Sequence, residues 1–122
     1  GLCIQALHGK PGIYSARLAK KHGSFFKAMK YILKKMKNKK NRKATFVCSL
    51  SYKKDDGKMI SVEGRLEGNI SEKILGKRGF GYDPIFVPQG YEQSFGELGE
   101  SIKSEMSHRA LALEQFRNTF VN

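Results

Sequence analysis

Between Ala44 and Lys54 apolar and polar residues alternate, with Phe46, Cys48, Leu50 and Tyr52 on one face; after Asp55-Asp56-Gly57 the alternation resumes through Ile60, Val62, Leu66 and Ile70. A period of two interrupted by turn residues predicts a long antiparallel hairpin. Ahead of it, Phe25 or Phe26, Met29, Ile32 or Leu33 and Met36 recur at helical spacing behind Ser24, a good N-cap, which predicts a helix over roughly residues 25–38 with this stripe in the core. Leu2 to Leu7 reads as a short strand entering a turn at His8 to Gly12, and Ile85 to Val87 as a further strand. Ser107 precedes a run rich in helix formers, with apolar residues at 110, 113, 116 and 120, and reads as the N-cap of a last helix. The elements add up to an α/β (α+β) architecture, a mixed twisted sheet carrying the hairpin with helices on its flanks, in one domain over residues 1–122.

Charge changes this picture, because it is unevenly spread. Residues 1–54 hold 15 Lys or Arg and no Asp or Glu, while residues 55–122 hold 8 against 11, giving a net +12. A general base or a magnesium ligand therefore cannot come from the first 54 residues, since hard cations take carboxylate oxygens. The densest run, Lys34 to Lys43, supports a rival reading of the chain as a small RNA- or DNA-binding protein. It lacks interleaved aromatics for base stacking, and a solvated helix end accounts for it as well. Cys3 and Cys48 have no metal-ligand spacing and are expected to be buried, reduced thiols, which fits a cytoplasmic protein. No run approaches the length of a membrane span.

Candidate chemistry concentrates late in the chain. Gly76, Gly79 and Gly81 permit positive φ and close approach to a ligand, and Asp83-Pro84 is expected to lead in extended geometry into the next strand. Phe80, between two glycines, has few neighbours to bury it and is expected to present a ring face on which a planar base can stack; an ordinary glycine-rich connection is the plainer alternative. If Ser107 caps the last helix, His108 and Arg109 fall in its first turn, where the dipole disfavours cations, so an electron-rich ligand there would compensate them. The alternative is a solvent-facing pair.

Three motifs in order, Pro11-Gly12-Ile13-Tyr14-Ser15-Ala16-Arg17, Gly79-Phe80-Gly81-Tyr82-Asp83-Pro84 and Ser107-His108-Arg109, resemble those of the inosine and xanthosine triphosphate pyrophosphatases. The likeness runs through the whole chain, including Gly1-Leu2, Ala44 to Cys48, Glu63-Gly64 and Glu97-Leu98. It implies an enzyme that hydrolyses non-standard purine nucleoside triphosphates (ITP, dITP, XTP) to the monophosphate and pyrophosphate with magnesium, a cytoplasmic homodimer that sanitises the nucleotide pool. It further implies that Phe80 stacks on the purine, that Asp83, Lys103, His108 and Arg109 form the base and nucleotide pocket, and that Tyr14, Ser15 and Arg17 line or support the same cleft. A 6-oxo purine offers O6 and N7 as acceptors where adenine presents a donor in place of O6, so donors from His108 and Arg109 would favour hypoxanthine and xanthine over adenine.

Family members carry a triphosphate-binding loop and acidic residues ahead of the position that Gly1 matches, and the resemblance implies that the catalytic acids lie upstream of Gly1. It thus implies a C-terminal portion that holds the base pocket but neither the catalytic acids nor the metal ligands, and that has little activity alone. A dimerisation or regulatory fragment is a third reading. Gly96, where the family usually has alanine, and Ser101-Ile102, where acids commonly precede the lysine, are smaller departures.

Overall fold

In the computed structural model, which describes residues 1–121 apart from the side chains of 118–121, the predicted hairpin is the longest feature of the sheet. Strand β3 (Lys43–Lys53) pairs with β4 (Met59–Ile70) in a register that sets Phe46 opposite Leu66 and Leu50 opposite Val62, with the turn closed by Gly57 at φ 87°. On β4 every second residue from Val62 to Ile70 is buried, as its alternation requires. Strands β1 (Leu2–Ile4) and β2 (Lys10–Gly12) extend the sheet on one side and β5 (Phe86–Pro88) on the other, in the order β2-β1-β3-β4-β5. All four pairings are antiparallel, so the expected mixed sheet is instead an antiparallel one.

Several boundaries move for local reasons. The first strand stops at Ile4, where a single 3-10 turn over Gln5–Leu7 and a left-handed His8 (φ 58°) reverse the chain into β2. Ser24 caps helix α2 (Phe25–Lys35) by accepting from the Lys27 amide, but Asn38 in left-handed conformation (φ 65°) closes the helix before residue 38. Asp83–Ile85 forms a 3-10 turn instead of an extended entry, with Pro84 as its second residue. Helices α1 (Ser15–His22) and α3 (Phe95–Leu98) are additions to the predicted set; α3 carries a capping box between Ser94 and Glu97.

The core lies between this sheet and the helices. Helix α2 buries Ala28, Met29 and Ile32, and Phe86 stacks on Phe95 with ring centroids 5.5 Å apart beside Phe46. Cys3 and Cys48 are free thiols as expected, but half-buried, the Cys48 Sγ lying 3.3 Å from the Gly64 carbonyl.

The largest correction concerns the last helix. Gly99 (φ 90°, ψ 173°) ends α3, and α4 begins at once with Glu100 and runs Glu100–Val121. Ser107 is therefore a mid-helix residue, and His108 and Arg109 lie more than two turns from the helix start, where no dipole argument applies. The face that meets the sheet is set by Lys103, Met106, Ser107 and Ala110, at spacings of three and four. The side chain of Phe120, placed on the apolar stripe by sequence, lies outside the described residues.

Helix α4 can approach β4 closely because Gly64 has no side chain. A Cβ there would meet the backbone carbon and Cβ of Ala110 at 2.9 Å. Gly64→Ala is accordingly expected to push helix and strand apart at a loss of about 1–3 kcal/mol, the usual scale of overpacking. Urea denaturation checks it.

Candidate functional site

Three residues singled out by sequence converge. Asp83 is 1% exposed and its Oδ2 accepts from Lys103 Nζ at 2.9 Å, Lys103 being itself 6% exposed. The backbone amide of Phe80 donates to the same oxygen at 3.0 Å, which ties the glycine-rich loop to the pair. A carboxylate accepting several donors can hold a loop that has little core of its own. Gly76, Gly79 and Gly81 all adopt positive φ, and a side chain at Gly79 would collide with the Asp83 carboxylate, so glycine is required where the loop folds over it.

Phe80 is 71% exposed, as its glycine neighbours predicted. The Lys103 ammonium sits 4.1 Å from its ring centroid and 5.1 Å from that of Phe46. One lysine thus joins a buried carboxylate, a core aromatic and a surface aromatic. Burial raises the Asp83 carboxyl above its ordinary range, against the lowering effect of Lys103 and the Phe80 amide. The other carboxylate oxygen, Oδ1, is buried and has no hydrogen-bond partner. A lone acceptor of this kind is rare in a folded protein.

Of the remaining candidates, Ser15 is structural. Its hydroxyl donates to the Gly12 carbonyl at 2.7 Å and accepts from the Leu2 amide at 3.1 Å. Tyr14 is 54% exposed, with the Arg17 guanidinium 5.1 Å from its ring centroid. Both line a cavity of their own, between the Ala6 to Tyr14 segment and helices α1 and α2, whose walls include none of Phe80, Asp83 and Lys103. His108 is exposed, and Arg109 is paired with Glu105 one turn earlier on the outer side of α4. The structure therefore separates these two from the Asp83–Lys103 pair by about 7–9 Å of helix rise.

Gly1, upstream of which the sequence reading sets the catalytic acids, has a structural part of its own. Its carbonyl accepts from the Val47 amide at 2.8 Å and its amino group donates to the Val47 carbonyl at 2.9 Å, so it carries the β1–β3 ladder one residue beyond Leu2. A Cβ on Gly1 would meet the Gly12 carbonyl oxygen at 2.6 Å, which makes this position a close crossing of two backbones rather than a bearer of chemistry.

Sequence reasoning overlooked Tyr82. Its buried hydroxyl donates to the Ser15 carbonyl at 2.6 Å, joining the two glycine-containing motifs across 67 residues, and burial pushes its pKa up to about 12. Phe46 was legible only as a core position, with nothing in its alternating strand to mark it as a partner for Lys103. Among the described residues no three His, Cys, Asp or Glu side chains converge on a point, and the one buried carboxylate is taken up by Lys103. These residues do not by themselves make a magnesium site.

An antiparallel sheet flanked by helices, with a buried acid–lysine pair beneath an exposed ring, defines an α/β protein with one rigid, partly unsatisfied polar cluster. Residues 1–119 match the family model described as Ham1 family, and the chain belongs to that family. It is 44% identical over 116 residues to a protein of Acholeplasma laidlawii named dITP/XTP pyrophosphatase, covering 95% of this chain and 57% of the relative. A Methanopyrus kandleri protein of the same name is 41% identical over 122 residues, all of this chain and 62% of the relative. Among solved structures, the Ham1 protein of Staphylococcus aureus superposes with a TM-score of 0.82 at 35% identity, covering 98% of this chain and 62% of that one. The chain thus spans about three-fifths of the length of these relatives. No helix among the described residues is long and apolar enough to cross a membrane.

Two outcomes follow from the buried groups. Lys103→Met strands the Asp83 carboxylate and should cost about 3–5 kcal/mol at pH 7. Without Lys103 the carboxyl rises further, so the folded chain keeps a proton that the unfolded chain releases above pH 3.8. The deficit relative to the parent should shrink as pH falls towards 4, which urea denaturation at the two pH values checks. In a spectrophotometric titration, one tyrosine should ionise near pH 12, and the step should vanish in Tyr82→Phe. The unfolded chain ionises this group near 10, so its contribution to stability is full below pH 10 and is lost as pH rises through 12.

Proposed function

We propose that the protein hydrolyses non-standard purine nucleoside triphosphates, ITP, dITP and XTP, to the monophosphate and pyrophosphate, and that these 122 residues recognise the base. The observation that carries this reading is the buried pair beneath Phe80: Lys103 supplies a donor, and Asp83 Oδ1 a buried acceptor without a partner. A 6-oxo purine presents an acceptor, O6, beside a donor, N1–H, and so complements that order, whereas adenine presents the reverse. The exposed ring of Phe80 offers a face for the purine to stack on. The names of the relatives support the same substrate class.

His108, Arg109, Tyr14, Ser15 and Arg17 belong to the proposal with different parts. Ser15 holds the Tyr82 loop in place through its carbonyl, while the others meet the nucleotide away from its base. Guanine carries the same O6 and N1–H, so rejection of GTP requires a contact at the 2-position. The acids of hydrolysis, and the magnesium they would hold, come from outside these residues in this reading, upstream of Gly1. We further propose a cytoplasmic homodimer with a role in nucleotide-pool sanitation.

In the whole protein, ITP should be preferred to ATP by up to about 10⁴-fold in kcat/KM, the scale on which a site with buried polar groups rejects a mismatched partner. Phe80→Ala should weaken inosine nucleotide binding about 10- to 100-fold, as loss of one aromatic stack does. Equal turnover of ATP and ITP, or unchanged affinity in Phe80→Ala, would refute the reading. The isolated 122 residues should bind IMP yet release little pyrophosphate from ITP, and turnover at the rate of a full-length relative would remove the division of labour.

A further inference from the structure

Helix α2 (Phe25–Lys35) turns Ala28, Met29 and Ile32 into the core, and its opposite edge carries Lys27, Lys30 and Lys34, all exposed, at spacings of three and four. Lys37 and Lys40 continue the exposed run beyond the helix. None of these five lines the basic cavity beside α1 and α2, whose cations are Lys10, Arg17, Lys21, Lys35 and Lys39. None forms an ion pair among the described residues, and residues 1–54 contain no carboxylate to neutralise them from nearby in the sequence. Like charges at these spacings repel one another and weaken a helix. The dipole favours Lys34 in the last turn of α2 but opposes Lys27 in the first. A solvated helix end thus accounts for the close of the run and not for its reach back to Lys27.

The edge is poor in everything but charge. Exposed Phe26 packs with Lys30, whose ammonium is 4.8 Å from the ring centroid, and Tyr31 is turned to the cavity, so no series of rings is offered for stacking. Single strands are held by such platforms. The apolar face of α2 is committed to the core, which leaves no apolar stripe to insert into a membrane. Lysine is depleted from protein–protein interfaces, where a flexible, strongly hydrated ammonium is costly to bury. A row of point charges on a rigid rod, spanning about 10 Å from Lys27 to Lys34, instead suits a stiff polyanion that carries one charge for about every 1.7 Å of its axis. We propose that this edge binds the phosphate backbone of duplex DNA without reading its bases. The edge has no side-chain acceptor for a 2′-hydroxyl, the group by which a protein tells RNA from DNA. No residue of the Phe80 cluster takes part, so the inference is independent of the base-recognition reading.

The test follows the fluorescence anisotropy of short labelled duplexes as the protein is added at a series of salt concentrations. If all five lysines reach phosphates, log K should fall against log salt with a slope of about −4.5 on duplex DNA, roughly 500-fold in affinity between about 50 and 200 mM salt. Changing the base sequence should leave affinity unaltered, and duplex RNA should bind no more tightly. Lys27→Gln/Lys30→Gln/Lys34→Gln should bring the slope to about −1.8 and weaken binding at about 50 mM salt on the order of 1000-fold. Lys53→Gln/Lys54→Gln/Lys58→Gln removes the same charge from the exposed hairpin tip and should keep the parent slope. Circular dichroism checks both folds. If the first variant does not fold, amide shifts of the parent protein decide, and duplex DNA should perturb residues 27–40. Equal loss of slope in the two variants, shifts elsewhere, or tighter binding of single-stranded DNA, duplex RNA or phosphatidylserine vesicles would each overturn the assignment. Failure of IMP to bind near Phe80 would refute the base-recognition reading and leave this one intact.

Discussion

A carboxylate and an ammonium group held 2.9 Å apart within the core fix the position of almost everything else in the candidate site. Neither charge is tolerable there alone, since each lost most of its hydration when the chain folded. Asp83 therefore dictates where the third residue of helix α4 beyond Glu100 must sit, and Lys103 dictates where the glycine-rich loop must close. The loop answers with the Phe80 amide, and the lysine ammonium is within 5.1 Å of the ring centroids of both Phe46 and Phe80. One carboxylate oxygen is committed to the fold and the other is left without a partner.

The second joint is polar as well. The Tyr82 hydroxyl reaches the Ser15 carbonyl from the residue next to Asp83, so the loop that carries the pair is tied on its other side to the start of α1. The ring of Phe25 meets that of Tyr82 edge-on at 5.2 Å, which brings the start of α2 against the same joint. Two chemically different places, the Phe80 cluster and the basic cavity, are thereby mounted on one scaffold through a single tyrosine.

The hairpin was legible because alternation with a turn leaves few alternatives, and α2 because its stripe and its cap agree. Gly64 and Gly68 hid in plain view: they occupy inward positions of β4, but a glycine has no hydropathy to report, and its role appears only when Ala110 or the Phe86 ring is found against it. Ser107 misled for the opposite reason. Serine is the favoured cap, yet the true start, Gly99 followed by Glu100, was marked only by a break between two helices that lie almost end to end. Phe80, Asp83 and Lys103 were found together by motif, whereas the outward placement of His108 and Arg109 follows from helix phase, which depends on a boundary that the motif does not contain. The sheet's antiparallel order was beyond reach because pairing partners of three-residue strands leave almost no periodic trace.

Between Lys103 and Ala110 the helix behaves as a ruler clamped at both ends, by the buried charge pair at one and by direct backbone contact at Gly64 at the other. Adding or deleting a single residue in that span would rotate one end by about 100° and swing either the ammonium or the alanine away from its seat. An exchange at an outward position such as Ser104 is tolerable on geometric grounds, but a change of length is not, so descendants of such a chain are bound to keep its count.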